Sequence, residues 1–188
     1  LVIGLAFAPA ARADSIVLPR PGQVGISGQF GYGSLLEGGL YGEDFSTGPA
    51  FGVRLRYRMR YERALGLSFE SQRFDVRQES IADTAFKSLT VMNSGVEFYQ
   101  LFGTRTKTVR MLMVGAGLSQ PSVELNDGET FFYPGGDGFY VSGGMGLERF
   151  FYRSWAYDLS ARYLSIFKDG KSNHQFQAAI GLIFYASY

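Results

Sequence analysis

The feature that most limits what this chain can fold into is an unbroken alternation in residues 51–70, FGVRLRYRMRYERALGLSFE. Odd positions carry Phe51, Val53, Leu55, Tyr57, Met59 and Tyr61, while even positions carry Arg54, Arg56, Arg58 and Arg60. A period of two places these on opposite faces of one strand, apolar on one side and cationic on the other. After a short turn, Leu65, Leu67 and Phe69 alternate with Gly66, Ser68 and Glu70. The pattern predicts a β-hairpin in which Glu70 stands opposite or diagonal to Arg56 or Arg58. Two environments suit such a hairpin. A soluble barrel or sandwich turns the apolar row inward and the arginines to water; a transmembrane barrel turns the apolar row to lipid and the arginines into a polar lumen.

Composition narrows the possibilities. A chain of 188 residues with 25 Gly, 17 Phe and 12 Tyr, and no long helical pattern, fits one all-β domain. The net charge of +1 gives no support to a nucleic-acid partner. Cysteine is absent and His174 is the single histidine, which removes thiolate and multi-histidine metal centres, so no metal or cofactor is expected. Residues 1–13, LVIGLAFAPAARA, read as the remnant of a secretory signal cleaved after Ala13. Residues 14–22, with Pro19 and Pro21, form a short stub, and residues 23–188 form the barrel.

Further strands are expected over 23–33, 88–101, 109–119 and 139–151, then from Trp155 to Tyr163 and along the final segment FQAAIGLIFYASY. Leu89 and Val91 differ in parity from Val96 and Phe98, which predicts a bulge near Asn93. In the next strand Val109, Met111 and Met113 are expected to face outward. Long loops are expected at 34–49, 74–87 and 121–138, with a polar loop at 168–173 and short turns between the others. The sum is an eight-stranded antiparallel up-and-down barrel.

The polar rows place Arg54, Arg56, Arg58, Arg60, Glu70, Glu148, Asp158 and Arg162 opposite the apolar row of their own strand. Both signs are present, so these side chains are expected to pair inside a lumen. The apolar rows are nearly free of charge, as a lipid-facing band requires. Aromatics gather at strand ends. Tyr32, Phe51, Phe74 and Phe176 lie beside the long loops, and Tyr61, Tyr99, Phe150, Trp155, Phe184 and Tyr188 beside the short turns. Two such girdles favour a transmembrane barrel over a soluble lipocalin-like one, which is apolar inside and polar outside.

The signal-like start, the eight alternating strands and a last strand ending on Tyr188 together resemble the small bacterial outer-membrane barrels of the outer-membrane protein A and X type. The resemblance implies a monomer in the outer membrane, surrounded by its lipids and lipopolysaccharide, with both termini periplasmic. It also implies a terminal strand read by the barrel-assembly machinery.

For function, a structural or surface-interaction role through the extracellular loops is expected. One alternative takes the arginine row as the constriction of a narrow anion-preferring channel, provided the acids opposite it are too few. Another rests on Ser172 and His174, which resemble the Ser/His pair of outer-membrane lipid A deacylases. That family places the histidine before the serine, whereas the order here is reversed. Glu37 in a loop is the one candidate for an orienting carboxylate, so enzymatic activity is not expected.

Overall fold

The computed structural model describes residues 16–36, 43–77, 86–126, 128–132, 138–168 and 170–186. The secretory-signal reading, Glu37 and Tyr188 lie outside the described residues. The strands are β1 (Val24–Leu35), β2 (Thr47–Arg60), β3 (Arg63–Asp75), β4 (Phe86–Phe102), β5 (Thr108–Leu125), β6 (Thr130–Phe132), β7 (Gly138–Tyr152), β8 (Trp155–Lys168) and β9 (Lys171–Tyr185). Each long strand pairs antiparallel with its neighbours, and β1 pairs with both β2 and β9. With β4 joined to β5, and β5 to β7, the sheet closes into a ring of eight strands. β6 pairs only with the far end of β5, as a short hairpin beyond the ring.

Closure removes every sheet edge, so the backbone donors and acceptors of the ring are satisfied within it. Side chains must then alternate strictly between lumen and exterior. β3 shows this along its whole length, with every second residue buried from Ala64 to Phe74. The expected β2–β3 hairpin is present, with Arg54 opposite Ser68 and Arg56 opposite Gly66. Turns at 61–62, 103–107 and 153–154 lie at one end, together with the start of β1 and the end of β9. The β1–β2, β3–β4 and β5–β7 connections lie at the other, far end.

Several sequence expectations change. β4 has no bulge near Asn93; its pairing with β3 is continuous from Gln100 to Ser88, and the irregularity lies between Phe86 and Ser88. Leu89 and Val91 are buried in the lumen, whereas Val96 faces out. The apparent parity switch arises because the lumen is apolar at its far end, so both faces of β4 carry aliphatic residues. β5 has the opposite facing from that expected: Val109, Met111 and Met113 are buried, and Leu112 and Val114 are exposed. β5 also runs on to Leu125, so the loop expected from residue 121 starts later. The polar loop expected at 168–173 is strand on both sides, since Lys168 pairs with Lys171 around a two-residue turn that includes Gly170 at φ 74°. Such a φ favours glycine.

Two apolar clusters close the ends of the lumen. The far cluster contains Leu35, Phe45, Phe74, Leu89, Val91, Val123, Tyr140, Leu164 and Ile166. The cluster near the termini contains Tyr99, Leu101, Val109, Met111, Met113, Phe150, Ile183 and Tyr185, with Ile16 and Leu18 of the N-terminal stub packed against it. The stub is fastened by backbone bonds from Val17 N to Arg153 O and from Gly22 N to Arg58 O, at 3.1 and 2.7 Å.

Tyr140 lies across the paired glycines Gly95 and Gly117. A Cβ on Gly117 would collide with Ser94 O and lie 2.6 Å from Gly95 Cα and 2.8 Å from the Tyr140 ring. Gly143 faces outward with nothing within 4 Å. Gly117→Val is therefore expected to destabilise the barrel by ~1–3 kcal/mol through overpacking, read as a lower urea midpoint in lipid vesicles. Gly143→Ala is expected to leave the midpoint unchanged.

Candidate functional site

The middle of the lumen holds the densest polar chemistry in the molecule. β2 presents Arg54, Arg56 and Arg58 inward at alternate positions, and all three are at most 2 % exposed. β8 contributes Asp158 and Arg162, β7 Glu148, β3 Glu70 and β4 Glu97. Arg56 pairs with Glu148, and its Nη2 donates to Asp158 Oδ2 at 3.1 Å. Arg58 donates to Glu148 Oε2 at 2.6 Å and to the Tyr185 hydroxyl at 2.9 Å. Tyr185 in turn donates to Glu148 Oε1 at 2.6 Å. Arg162 pairs with Glu70, donates to Glu97 Oε1 at 2.8 Å and donates to Gln177 Oε1 at 2.7 Å. Arg54 lies 3.7 Å from Glu97 and 3.9 Å from Glu70.

The guanidinium groups also use aromatic faces. Arg56 sits 4.2 Å from the centroid of Tyr99, and Arg58 sits 5.0 Å from that of Tyr185. A desolvated contact of this kind contributes ~2 kcal/mol. Tyr99 also donates its hydroxyl to Glu97, so one phenol serves an anion and a cation together.

Within this layer Arg54, Arg56, Arg58 and Arg162 stand against Glu70, Glu97, Glu148 and Asp158, four cations to four anions, and Lys168 is a further buried cation at the far end of the inward row of β8. The layer itself carries no excess of positive charge. Charges taken out of water are held only when paired and hydrogen-bonded, and each of these eight groups has an opposite charge within 4 Å. Beyond the network toward the far end, Gln175 donates to Gln72, which donates to Gly48 O at 3.3 Å. The far apolar cluster lies past that pair.

Seven of the eight lumen charges named from sequence face inward. Arg60 does not: it is exposed at the end of β2, where a register shift between Arg58 and Arg60 breaks the alternation before the turn. Glu70 pairs with Arg54 and Arg162, not with Arg56 or Arg58, because Gly52 stands opposite it and Arg54 is its diagonal neighbour. Sequence reading overlooked Glu97 and Tyr185 and placed Tyr99 in the girdle, whereas it is buried in the lumen. A bulge assigned near Asn93 hid the row Asn93, Glu97, Tyr99, and the need to match four arginines with four acids would have pointed to Glu97.

The exterior is a belt of apolar side chains between two polar rims. Tyr32, Phe51, Tyr61, Trp155, Phe176 and Phe184 all face outward as expected. Phe51 meets Phe30 edge-on at 5.0 Å, and Trp155 lies 5.0 Å from Phe184. Phe74, Tyr99 and Phe150 are instead lumen residues that cap or line the core. At the far rim, Glu124 takes an ion pair from Lys87 at 2.7 Å and one from Arg73 at 3.1 Å.

Ser172 and His174 lie on the exterior near the far rim. The ring nitrogens of His174 meet Ser165 Oγ at 3.0 Å and Ser172 Oγ at 3.3 Å, and the ring stacks on Tyr163 at 5.7 Å. Ser172 and His174 are thus within reach of each other, and the second ring nitrogen meets the Ser165 hydroxyl in place of a carboxylate. Among the described residues no group of three potential metal ligands occurs.

A closed barrel with an apolar belt outside and its charges inside is a membrane-spanning protein. Residues 1–184 match the family model described as the outer membrane protein beta-barrel domain, and the chain belongs to that family. Similar solved structures include the Neisserial surface protein A, 15% identical with a TM-score of 0.67, over 86% of this chain and 96% of that one. Outer membrane protein OprG of Pseudomonas aeruginosa is 13% identical with a TM-score of 0.58, over 93% of this chain and 100% of that one. The attachment invasion locus protein Ail of Yersinia pestis is 14% identical with a TM-score of 0.54, over 87% of this chain and 99% of that one. At these identities the likeness is one of fold. No curated protein matches the sequence.

Glu148 accepts from Arg56, Arg58 and Tyr185 together. Glu148→Gln leaves buried Arg58 without a carboxylate and Arg56 with Asp158 alone, and is expected to cost ~3–5 kcal/mol, as for other broken buried pairs. The urea midpoint in vesicles should fall accordingly. Glu124→Gln, at the exposed rim, is expected to leave it unchanged.

Proposed function

We propose that this protein is a non-conducting outer-membrane scaffold whose far-end connections act at the cell surface, with its termini in the periplasm. The observation that carries the reading is the filling of the lumen: an apolar cluster at each end with a neutral, interlocked ionic layer between them. An eight-stranded barrel is only wide enough for side chains to fill, and here bulky residues occupy both mouths. A channel would need a continuous polar path past Phe74 and Tyr140 at one end and Phe150 and Tyr185 at the other. The far end carries the longer connections and the hairpin extension of β5 and β6, the material from which a binding surface is built. The partner on that surface is of a class that meets loops rather than a lumen, such as another envelope component or an external macromolecule. An enzymatic role has weaker support, because His174 is engaged by two serines on the exterior.

Planar-bilayer recordings of the purified barrel are expected to show no stable conductance steps; reproducible steps would replace the scaffold with a channel. The orientation is open to direct labelling, since the chain has no cysteine. Lys87→Cys, at the far rim, is expected to react with a membrane-impermeant maleimide on intact cells, and Thr106→Cys, in a short turn, only after the outer membrane is opened. The opposite pattern would invert the orientation. Lipid A from cells carrying His174→Ala is expected to give an unchanged mass profile, and loss of a deacylated species would restore the enzyme.

A further inference from the structure

The belt that faces lipid is not uniform. Across β5, β7, β8 and β9 it holds a furrow of ≈ 840 Å³, floored by Ala161 and Ala178 and bordered by Met145, Leu147 and Leu159, with Arg110 at one limit. That volume lies within the ~300–1,000 Å³ of small-molecule sites. Its depth follows from the ladder. Ala161 pairs with Ala178, while the outward pairs on either side of them are Leu159 with Ile180 and Tyr163 with Phe176. Two methyl groups thus lie between rows of long side chains and leave a slot open to the bilayer.

Cations stand at the end of this slot nearer the chain termini. Arg110 is exposed on β5 and pairs with Leu147 of β7, and Arg149 is the next outward residue along β7. The two arginines are therefore diagonal neighbours on one face, Arg110 lining the slot and Arg149 just beyond it. Arg149 Nη1 donates to Thr108 Oγ1 at 2.6 Å, which leaves its other donors free to turn toward a ligand. Glu148, the acid next in sequence, points into the lumen. Among the described residues at this end, Glu62 is the only exposed acid, against Arg63, Arg105 and Lys107 as well as the two arginines. The charges of the ionic layer are balanced, and the exterior charges at this end are not.

A pair of arginines at the mouth of an apolar slot matches a molecule with a phosphodiester at one end and a hydrocarbon chain at the other. Guanidinium groups bind phosphate oxygens bidentately, and the slot offers van der Waals packing to an acyl chain that is already out of water. We propose that Arg110 and Arg149 hold the phosphodiester of an anionic phospholipid whose acyl chain lies in the slot over Ala161 and Ala178. The inference rests on the barrel being embedded in a bilayer. The site is on the exterior, so it is independent of whether the lumen conducts.

The test uses the full chain in nanodiscs containing equal amounts of phosphatidylglycerol and phosphatidylcholine of the same acyl length, with co-purifying lipid read by native mass spectrometry. The wild-type protein is expected to retain phosphatidylglycerol preferentially. Arg110→Gln with Arg149→Gln is expected to lower that retention about tenfold through loss of charge-assisted contacts. Ala178→Phe fills the slot with every charge intact and is expected to lower it as well. Equal retention of both lipids by the wild type, or preference surviving the double arginine change, would overturn the site. Loss in the arginine variant alone would show diffuse attraction to a basic rim and would overturn the slot. Heat-modifiable gel migration of each variant in discs of neutral lipid reports folding separately. A wild-type chain that fails to enter neutral discs would count against the embedded barrel, not against the lipid it selects.

Discussion

A backbone that crosses lipid finds no water for its N–H and C=O groups, and the closed ring of eight strands is how this chain meets that condition. The rest follows from closure. A ring has an inside and an outside, and the pleat assigns each residue to one of them by parity alone. The β2 sequence, with arginine at every second position, is admissible only because the ring supplies a protected interior for that parity. A one-residue slip of β2 would send three guanidinium groups into lipid, so the register of the whole strand is fixed by its charges as much as by its hydrogen bonds.

Inside, the narrowness of the ring turns a list of charges into a single layer. Each carboxylate of the lumen reaches at least one guanidinium, and Glu70, Glu97 and Glu148 each serve two. Replacing such a layer with well-packed apolar groups is often no less stable, so the network is better understood as fixing geometry than as supplying net stability. The two tyrosines are part of that geometry. Tyr99 and Tyr185 place a ring against an arginine and a hydroxyl against a glutamate, and they mark where the ionic layer gives way to the apolar cluster near the termini.

The fold class, the hairpin, the outward-facing aromatics and most of the lumen charges were legible in the sequence because the inward faces of β2, β3, β7, β8 and β9 are polar over most of their middle, where the outward faces are apolar. β4 and β5 were not, and the cause is physical. Their inward rows pass through both apolar clusters, so Leu89, Val91, Met111 and Met113 resemble lipid-facing residues although they point the other way. Alternation is informative only where the two faces differ in polarity. Arg60 failed for the reverse reason, a charge that continued the pattern one step beyond the end of regular pairing. Phe74, Tyr99 and Phe150 show that an aromatic near a strand end belongs to a girdle only if its parity is outward.

The ionic layer also ties together parts of the chain that are far apart in sequence. Arg56 meets Glu148 and Asp158 across 92 and 102 residues, Arg58 meets Tyr185 across 127, and Arg162 meets Glu70 across 92. None of these partners is available to β2 or β3 until β7, β8 and β9 have been made and brought round to β1. Arg54 has Glu70 and Glu97 within β1 to β4, but a nascent sheet of those strands would carry Arg56 and Arg58 without their carboxylates and could not settle in hydrocarbon by itself. Insertion and ring closure become one event: the hairpin that reads as the most committed segment of the chain is the one that must wait for the last strand.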